Sequence, residues 1–271
     1  MTLAAVRSPQ TDLPASHTEP DGSVVVRVLS YNIRSLRDVP GQPPGAARQA
    51  VARVIRATAP DVVCVQEAPR FFRWRKALAR LAREAGLVHV AGGATTTGPA
   101  ILSTLRPHVE HTAEVVLPRT PGLPRRGVAG AVLRFGDVRL AVLSCHFGPA
   151  AGERYVHAGQ LLGQLTALDA PYAVAAGGFG EGPQGRAFQR LTAGPLHDAR
   201  ELRPWGSEFT APVAHPHQRV DAVLTTGGVE VLGCGVPDAL AAVHPDDLHA
   251  AADHRPVLAA LRLPHPGGCT D

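Results

Sequence analysis

The chain has 271 residues, of which 45% are hydrophobic and 18% are charged, and its mean hydropathy is +0.01. These values are typical of a soluble globular protein and exclude both an intrinsically disordered chain and a membrane-embedded one. The 27 basic and 23 acidic residues give a net charge of +4, which is too small over this length to indicate a nucleic-acid-binding protein.

The N-terminal segment, residues 1–22, contains prolines among polar residues and no long apolar stretch. We therefore expect a disordered leader over 1–22, with no signal peptide and no transmembrane segment in the chain. The four cysteines are far apart and show no C-x-x-C spacing, which predicts reduced core thiols in a cytoplasmic protein. We expect the protein to be a monomer.

From residue 23 onward, short β-rich runs alternate with helical patterns, and we predict one domain over 23–265 followed by a tail over 266–271. The predicted strands cover residues 23–33, 61–66, 99–104, 111–117, 127–135, 138–146, 172–176, 219–225, 228–234 and 256–263. The predicted helices cover residues 46–57, 71–85, 153–168 and 184–192. A two-residue turn, Gly136-Asp137, joins two strands as a hairpin. We therefore expect an α/β (α+β) fold with packed, mainly antiparallel sheets flanked by helices.

Polar side chains that could carry chemistry lie where the predicted strands begin or end, which is where folds of this class place their sites. They are Asn32, Glu67, His146, Asp221, Asp253 and His254. Each residue alone has an ordinary structural explanation, such as a turn former or a solvated strand end. Together they supply carboxylates and an amide for a hard divalent cation, two histidines, and a carboxylate to orient one of them. This set predicts hydrolysis of a phosphate ester.

Seven short segments follow one another along the chain: L-S-Y-N-I-R, P-D-V-V-C-V-Q-E, G-P-A-I-L-S, L-S-C-H-F-G, A-G-G-F-G-E-G-P, Q-R-V-D-A-V and A-D-H-R-P-V. In this order, over roughly residues 24 to 263, they resemble the endonuclease/exonuclease/phosphatase superfamily. Its members include deoxyribonuclease-like nucleases, sphingomyelinases and inositol-phosphate phosphatases. The resemblance implies a four-layer sandwich in which two packed, mainly antiparallel sheets are flanked by helices.

The resemblance also implies hydrolysis of a phosphodiester or phosphomonoester by in-line attack of water. The residues implied to hold a Mg²⁺ or Mn²⁺ cofactor are Glu67, Asn32 and Asp253. His254 is implied to take the proton from the attacking water, with Asp221 fixing its tautomer. His146 is implied to donate to a phosphate oxygen in the transition state. The substrate stays open among nucleic acid, phospholipid headgroups and soluble phosphoesters.

One motif of the superfamily is incomplete in this chain. Where relatives have Gly-Asp-Phe/Leu-Asn at a strand end, this chain has Gly-Gly-Phe-Gly, so Gly178 and Gly180 replace the aspartate and the asparagine. Loss of one positioned acid or base costs about 10²- to 10⁴-fold in rate. Three interpretations stay open: a hydrolase with reduced activity, an inactive phosphate-ligand or nucleic-acid binding protein, and replacement of the missing carboxylate by Glu181.

Weaker signals point to other kinds of site. Residues 180–185 have the G-x-G-x-x-G form of a dinucleotide-binding loop, and residues 215–217 have the H-x-H form of a zinc pair, but a proline interrupts each. The basic side chains of the helix predicted over 71–85 are expected to form a solvated face. Arg125 and Arg126 lie in a proline-bounded loop that is a candidate for contact with the substrate.

Overall fold

The structure, a computed structural model, describes residues 12–267. These residues form two β-sheets with helices on their outer faces. The strands are β1 (His17–Thr18), β2 (Val24–Asn32), β3 (Val62–Gln66), β4 (Val88–Gly92), β5 (Ala100–Ser103), β6 (His108–Val116), β7 (Gly127–Phe135), β8 (Val138–His146), β9 (Tyr172–Gly178), β10 (Leu196–Asp198), β11 (Asp221–Thr226), β12 (Glu230–Gly235) and β13 (Val257–Leu263). The helices are α1 (Ala46–Thr58), α2 (Trp74–Ala85), α3 (Ala151–Ala167), α4 (Arg186–Thr192), α5 (Ala199–Leu202) and α6 (Pro245–Ala251).

The first sheet has the strand order β12-β13-β2-β3-β5-β4, with β1 paired to β2, and the second has the order β10-β11-β9-β8-β7-β6. Among the described strands, β2 with β3 and β8 with β9 are parallel, and the other ladders are antiparallel. The predicted hairpin is present, since Phe135 of β7 pairs with Val138 of β8. The expectation of mainly antiparallel sheets is confirmed.

Apolar side chains fill three spaces between four layers of backbone. The space between the sheets holds small and β-branched side chains, for example Val26, Val62 and Val142, which suit strands covered on both faces. Helices α1, α2 and α6 pack on the outer face of the first sheet, and α3 and α4 pack on the outer face of the second. This is the four-layer sandwich that the resemblance implied, so that expectation is confirmed.

Helix α2 begins at Trp74, whereas the apolar spacing placed its start at Phe71. Phe71 and Phe72 are 69% and 90% exposed, so neither belongs to the packed face of the helix. Arg73, with a φ of 63°, is the left-handed residue from which the chain enters the helix. The basic residues along α2 are exposed, as expected for a solvated face.

Several short elements were not predicted from the sequence: β1, β4, β10, α5 and α6. β4 lies at the edge of the first sheet and is half exposed, so it lacks the apolar pattern of a buried strand. Helix α6 spans seven residues, which is too short for a clear period. Its start does carry the usual chemistry of a helix N-terminus, with Pro245 followed by Asp246 and Asp247.

Part of the predicted leader belongs to the fold, so the expectation of disorder is wrong for residues 12–22. His17–Thr18 pairs with β2, and the Leu13 side chain is 4% exposed in the core against the first sheet. The Arg27 guanidinium donates to the backbone carbonyl of Leu13 and so anchors the segment. One buried leucine and a few backbone hydrogen bonds hold this segment in place. The composition of the segment, with its prolines and polar residues, did not indicate these contacts.

The rest of the predicted leader, residues 1–11, and most of the predicted tail, residues 268–271, lie outside the described residues. The described cysteines are buried and unpaired, as predicted for core thiols: Cys64, Cys145 and Cys234. Within residues 12–267, none of the helices has the length and apolar character needed to cross a membrane.

Candidate active site

The polar residues singled out from the sequence meet at one edge of the two sheets. In the second sheet, His146 of β8 lies opposite Gly178 of β9, and Gly178 lies opposite Asp221 of β11. Residues opposite one another in a ladder share a face, so His146 and Asp221 flank the position of Gly178. In the first sheet, Asn32 ends β2 and Glu67 directly follows the neighbouring β3. Nε2 of His146 lies 4.0 Å from Oε1 of Glu67, which brings the two sets together.

Asp221 and His254 form a hydrogen-bonded pair in which Nδ1 of His254 donates to Oδ2 of Asp221 at 2.7 Å. Because a carboxylate only accepts, this bond fixes a proton on Nδ1 and leaves Nε2 for proton exchange. Burial disfavours the charged ring, but the hydrogen bond and the charge of Asp221 outweigh burial and raise the pKa of His254 to about 9. The charges of Asp253 and Glu67 act in the same direction.

His146 is held by an arginine from the neighbouring strand. Nη1 of Arg126 donates to Nδ1 of His146 at 3.2 Å, and the next residue, Gly127, lies opposite His146 in the β7–β8 ladder. A guanidinium has only donors, so Nδ1 accepts and the ring proton sits on Nε2. Burial and the positive charges of Arg126 and His254 hold the pKa of His146 well below its ordinary range. His146 is therefore a neutral ring with one N–H to donate near Glu67.

Three residues offer oxygen donors for a hard cation: Asn32, Glu67 and Asp253. The Glu67 side chain is 34% exposed, and its hydrogen bond from Nδ2 of Asn32 is long, at 3.4 Å, so the carboxylate is open to a ligand. Asp253 is exposed, and its carboxylate has no hydrogen-bond or ion-pair partner within residues 12–267. Oδ1 of Asn32 accepts from the backbone N–H of Arg34 at 3.1 Å, which leaves one lone pair on that oxygen.

These donors fit a cation that keeps much of its water shell. Nowhere in residues 12–267 do three or more His, Cys, Asp or Glu side chains form a group that could hold a metal on their own. Mg²⁺ needs no such group, because one or two carboxylates complete its shell together with water and phosphate oxygens. Two open carboxylates and an amide therefore suit Mg²⁺ or Mn²⁺, and they do not suit a zinc site of nitrogen and sulfur ligands.

A sequence model of the Endonuclease/Exonuclease/phosphatase family matches residues 29–254. The chain belongs to this family. A comparison with curated proteins finds no match.

Solved structures of the same family have the same fold. An endonuclease/exonuclease/phosphatase protein from Bacteroides vulgatus has a TM-score of 0.74 at 19% identity, and the match covers 88% of this chain and 99% of that chain. A mannosyl-6-phosphatase from Bacteroides thetaiotaomicron has a TM-score of 0.71 at 17% identity, covering 87% and 99%. TDP2 from D. rerio, solved with a single-strand DNA product, has a TM-score of 0.69 at 14% identity, covering 88% and 98%. At these identities the likeness shows the fold alone.

The Gly-Asp-Phe/Leu-Asn motif expected of this superfamily is incomplete at the end of β9. Phe179 is fully buried among other aromatic rings, so the strand end keeps its place in the core. The first carbon of a side chain at Gly178 would lie 3.2 Å from Oδ1 of Asp221. Gly180 has a φ of +70°, and a side chain there would lie 3.2 Å from Cδ of Arg154. Neither glycine supplies the acid or amide that the motif provides.

The carboxylate of Glu181 is engaged by other groups, which argues against the third interpretation of the motif. Its Oε2 accepts from Nε of Arg154 at 2.7 Å, and its Oε1 accepts from the backbone N–H groups of Ala187 and Phe188 at 2.6 and 3.1 Å. Burial opposes the charge, but these hydrogen bonds outweigh burial and hold the pKa of Glu181 below its ordinary value. Glu181 caps α4.

The same contacts argue against a dinucleotide site in residues 180–185. A pyrophosphate would bind the N-terminal amides of the helix that follows, and Glu181 already occupies those of α4. His215 and His217 lie exposed in a loop, where Nδ1 of His217 donates to the backbone carbonyl of His215 at 3.0 Å. That contact is a local turn interaction, as expected for a loop.

Two contacts of the site were not foreseen. The sequence predicted only that Arg126 lies in a loop near the substrate, and it gave no partner for this side chain. The partner could have been found from the predicted hairpin, because its register pairs Gly127, the residue after Arg126, with His146. Oγ1 of Thr210 accepts from the backbone N–H of Asp221 at 3.4 Å. Thr210 comes from an irregular loop, where no sequence pattern signals such a contact.

Proposed function

We propose that the chain is a phosphoesterase that uses a divalent cation, Mg²⁺ or Mn²⁺, to hydrolyse a phosphodiester or a phosphomonoester. The observation that carries the proposal is the His254–Asp221 pair beside the neutral His146, at the same edge of the sheets as the open carboxylate of Glu67. Family membership supports the reaction class. So do fold neighbours that include a mannosyl-6-phosphatase and a protein solved with a DNA product.

The residues that would hold the cation are Glu67, Asn32 and Asp253. The cation supplies positive charge for the phosphate and the leaving oxygen. His146 donates its Nε2–H to a non-bridging phosphate oxygen, where negative charge increases in the transition state. His254 exchanges a proton with the attacking water through Nε2, while Asp221 keeps the ring in the required tautomer. A cation held by Glu67 and Asp253 would offset their negative charge, so the pKa of His254 would fall and more of its rings would be neutral and able to accept a proton.

We expect a reduced rate, because Gly178 and Gly180 supply neither a proton-transfer group nor an amide. A second candidate function is binding of a phosphate ligand or a nucleic acid without turnover. The observation in its favour is that Glu181, the nearest acidic residue in the chain after these glycines, is fully engaged in capping α4. We also propose that the protein is cytoplasmic, because the described cysteines are buried and unpaired. The monomeric state stays a prediction.

The test is hydrolysis of p-nitrophenyl phosphate, bis(p-nitrophenyl) phosphate and plasmid DNA with Mg²⁺, with Mn²⁺ and with EDTA. We expect metal-dependent turnover that falls by about 10²-fold or more in His254→Ala. His249, exposed on α6, gives the matched control His249→Ala, which should keep the wild-type rate. Equal rates for wild type and His254→Ala would contradict the hydrolase. Calorimetric binding of Mn²⁺ and phosphate without turnover would favour the binding protein.

A further inference from the structure

Two neighbouring phenylalanines lie exposed on a turn beside the site. Phe71 is 69% exposed and Phe72 is 90% exposed, although both side chains are large and apolar. Single apolar residues scattered over a surface are ordinary, but adjacent aromatic rings with most of their area in water mark a surface that contacts a partner. Neither ring belongs to a core cluster of the described residues. Packing within the fold therefore does not account for them.

Contacts on both sides hold this turn in place. Before the rings, Nη1 of Arg70 donates to the backbone carbonyl of Thr97 at 3.2 Å. After them, the ring of Trp74 lies so close to Gly93 that a side chain there would overlap it. The turn itself is closed by the backbone N–H of Trp74, which donates to the carbonyl of Phe71 at 3.0 Å. The turn therefore presents its two rings as a fixed feature of the surface.

The chain around the rings is strongly basic. Residues 68–83 contain six basic side chains and no acidic one. Of these six, only Arg80 has an ion-pair partner in the described part of the chain, namely Glu84. Arg75 and Lys76 are exposed directly after the turn. Positive charge without a counter-charge, next to exposed apolar rings, fits a partner with an anionic surface and an apolar interior.

An anionic lipid bilayer meets both requirements, because its interface takes aromatic rings and its headgroups attract arginine and lysine. A second copy of this chain would bring like charges together. Single-stranded nucleic acid supplies phosphates, but proteins that stack its bases hold the strand in a basic groove, whereas these rings lie on a projecting turn. The small net charge of +4 does not oppose docking on a bilayer, because only charges within about 10 Å of the membrane surface act on it.

We propose that residues 70–76 form a docking surface for an anionic lipid bilayer, with the two phenylalanine rings inserted among the headgroups. Arg70 begins this surface only three residues after Glu67. The charge of Arg70 reaches the site, since it contributes to the lowered pKa of His146. Docking therefore brings the site edge of the sheets to the bilayer. This inference goes beyond the proposed function and does not depend on hydrolysis.

Vesicle flotation of the full chain in EDTA measures the docking. We expect vesicles of equal parts phosphatidylcholine and phosphatidylglycerol to bind it at least about tenfold more tightly than phosphatidylcholine alone. Phe71→Ser combined with Phe72→Ser should weaken binding by about tenfold, since two rings leave the interface. The matched control is Leu105→Ser, because Leu105 is 84% exposed beyond the end of β5 that lies away from Glu67. No binding to the anionic vesicles, or equal binding by the double variant, would overturn the proposal.

A pair of charge variants locates the attraction. Lys76→Gln and Arg186→Gln each remove one exposed positive charge, the first within the docking surface and the second on α4. We expect Lys76→Gln to weaken binding to the anionic vesicles by about fivefold, and Arg186→Gln to change it by about twofold at most. Losses of equal size in the two variants would show that net charge alone attracts the protein, and would contradict the docking surface.

Tryptophan fluorescence tests insertion without any variant. Trp74 directly follows the turn, and the second tryptophan of the chain, Trp205, is 7% exposed in the core. Brominated lipids in the anionic vesicles should therefore quench Trp74 on docking. Bound protein without quenching would contradict insertion of the rings.

A labelled oligothymidylate, followed by fluorescence anisotropy, is the competing probe. Oligonucleotide binding that is lost in the double phenylalanine variant, without binding to vesicles, would assign the turn to nucleic acid and overturn the proposal. Docking on vesicles by a chain that hydrolyses no phosphoester supports the docking surface and contradicts the hydrolase. Hydrolysis by a chain that binds no vesicles does the reverse.

Discussion

Nδ1 of His254 donates a 2.7 Å hydrogen bond to Oδ2 of Asp221, and this bond joins a strand of one sheet to the loop that leads into the other. Asp221 begins β11 in the second sheet, and His254 lies just before β13 in the first. The pair therefore connects the two sheets at the site edge. It leaves Oδ1 of Asp221 buried and without a hydrogen-bond partner within residues 12–267.

Asp221→Asn tests the proton position that this pair imposes. An amide can donate to Nδ1 of His254 and so place the ring proton on Nε2, where it blocks proton acceptance. We expect kcat to fall by about 10²- to 10⁴-fold with little change in fold, because the side chains have the same shape. Steady-state kinetics and ¹⁵N shifts of the ring provide the measurements. Asp246→Asn, at an exposed carboxylate on α6, is the control, and a wild-type kcat in Asp221→Asn would contradict the role of the pair.

Arg126 contacts Nδ1 of His146, and we predict that it positions this ring. Arg126→Met removes the donor to Nδ1 of His146, so the ring can change tautomer and lose its Nε2–H, and we expect kcat to fall by about tenfold. Arg126→Lys keeps a donor and should recover part of the rate. The ¹⁵N spectrum of His146 is the decisive readout. A ring that stays in the Nε2–H form in Arg126→Met would show that Arg126 does not set the tautomer.

The incomplete motif predicts a gain of function. Gly178→Asp combined with Gly180→Asn restores the acid and the amide, and asparagine is one of the side chains that tolerate the positive φ of Gly180. A side chain at Gly180 requires Arg154, which is hydrogen-bonded to Glu181, to shift by a few tenths of an ångström. We expect kcat/KM to rise by about 10²-fold if the rest of the site is assembled. A folded double variant without any gain would favour the binding protein over the hydrolase.

Most of the fold followed from the sequence because its strands are long, apolar and separated by clear turns. The site was predictable as a set of residues, since Asn32, Glu67 and His146 each end or follow such a strand. The partners of these residues were harder to predict, because they depend on register and on side-chain direction across the sheets. The Arg126–His146 contact could have been predicted by extending the register of the predicted hairpin to Gly127 and His146. The capping of α4 by Glu181 could not, because it depends on the path of the loop before the helix.

Glu181→Gln separates a structural role from a catalytic one. The pKa of Glu181 lies below its ordinary value of 4.5, so its charge stabilises the folded state above pH 4.5, and this contribution is lost as the pH falls through the lower folded-state pKa. We expect the variant to lose about 1 kcal/mol of unfolding free energy near neutral pH, and nothing relative to wild type in acid. Urea unfolding at several pH values measures this. Its kcat should match the wild type, and a large fall in kcat without loss of stability would revive Glu181 as the replacement carboxylate.

The N-terminal segment makes a stability prediction. Leu13 packs in the core against the first sheet, and it lies so close to Gly233 of β12 that a side chain there would overlap its Cδ2 atom. Leu13→Ala leaves a cavity at this contact, and we expect a loss of about 2–3 kcal/mol of unfolding free energy. The matched control is Leu105→Ala, because Leu105 is 84% exposed and its truncation should change the free energy by less than about 0.5 kcal/mol. Equal stabilities of the two variants in urea unfolding would show that the Leu13 side chain does not stabilise the fold.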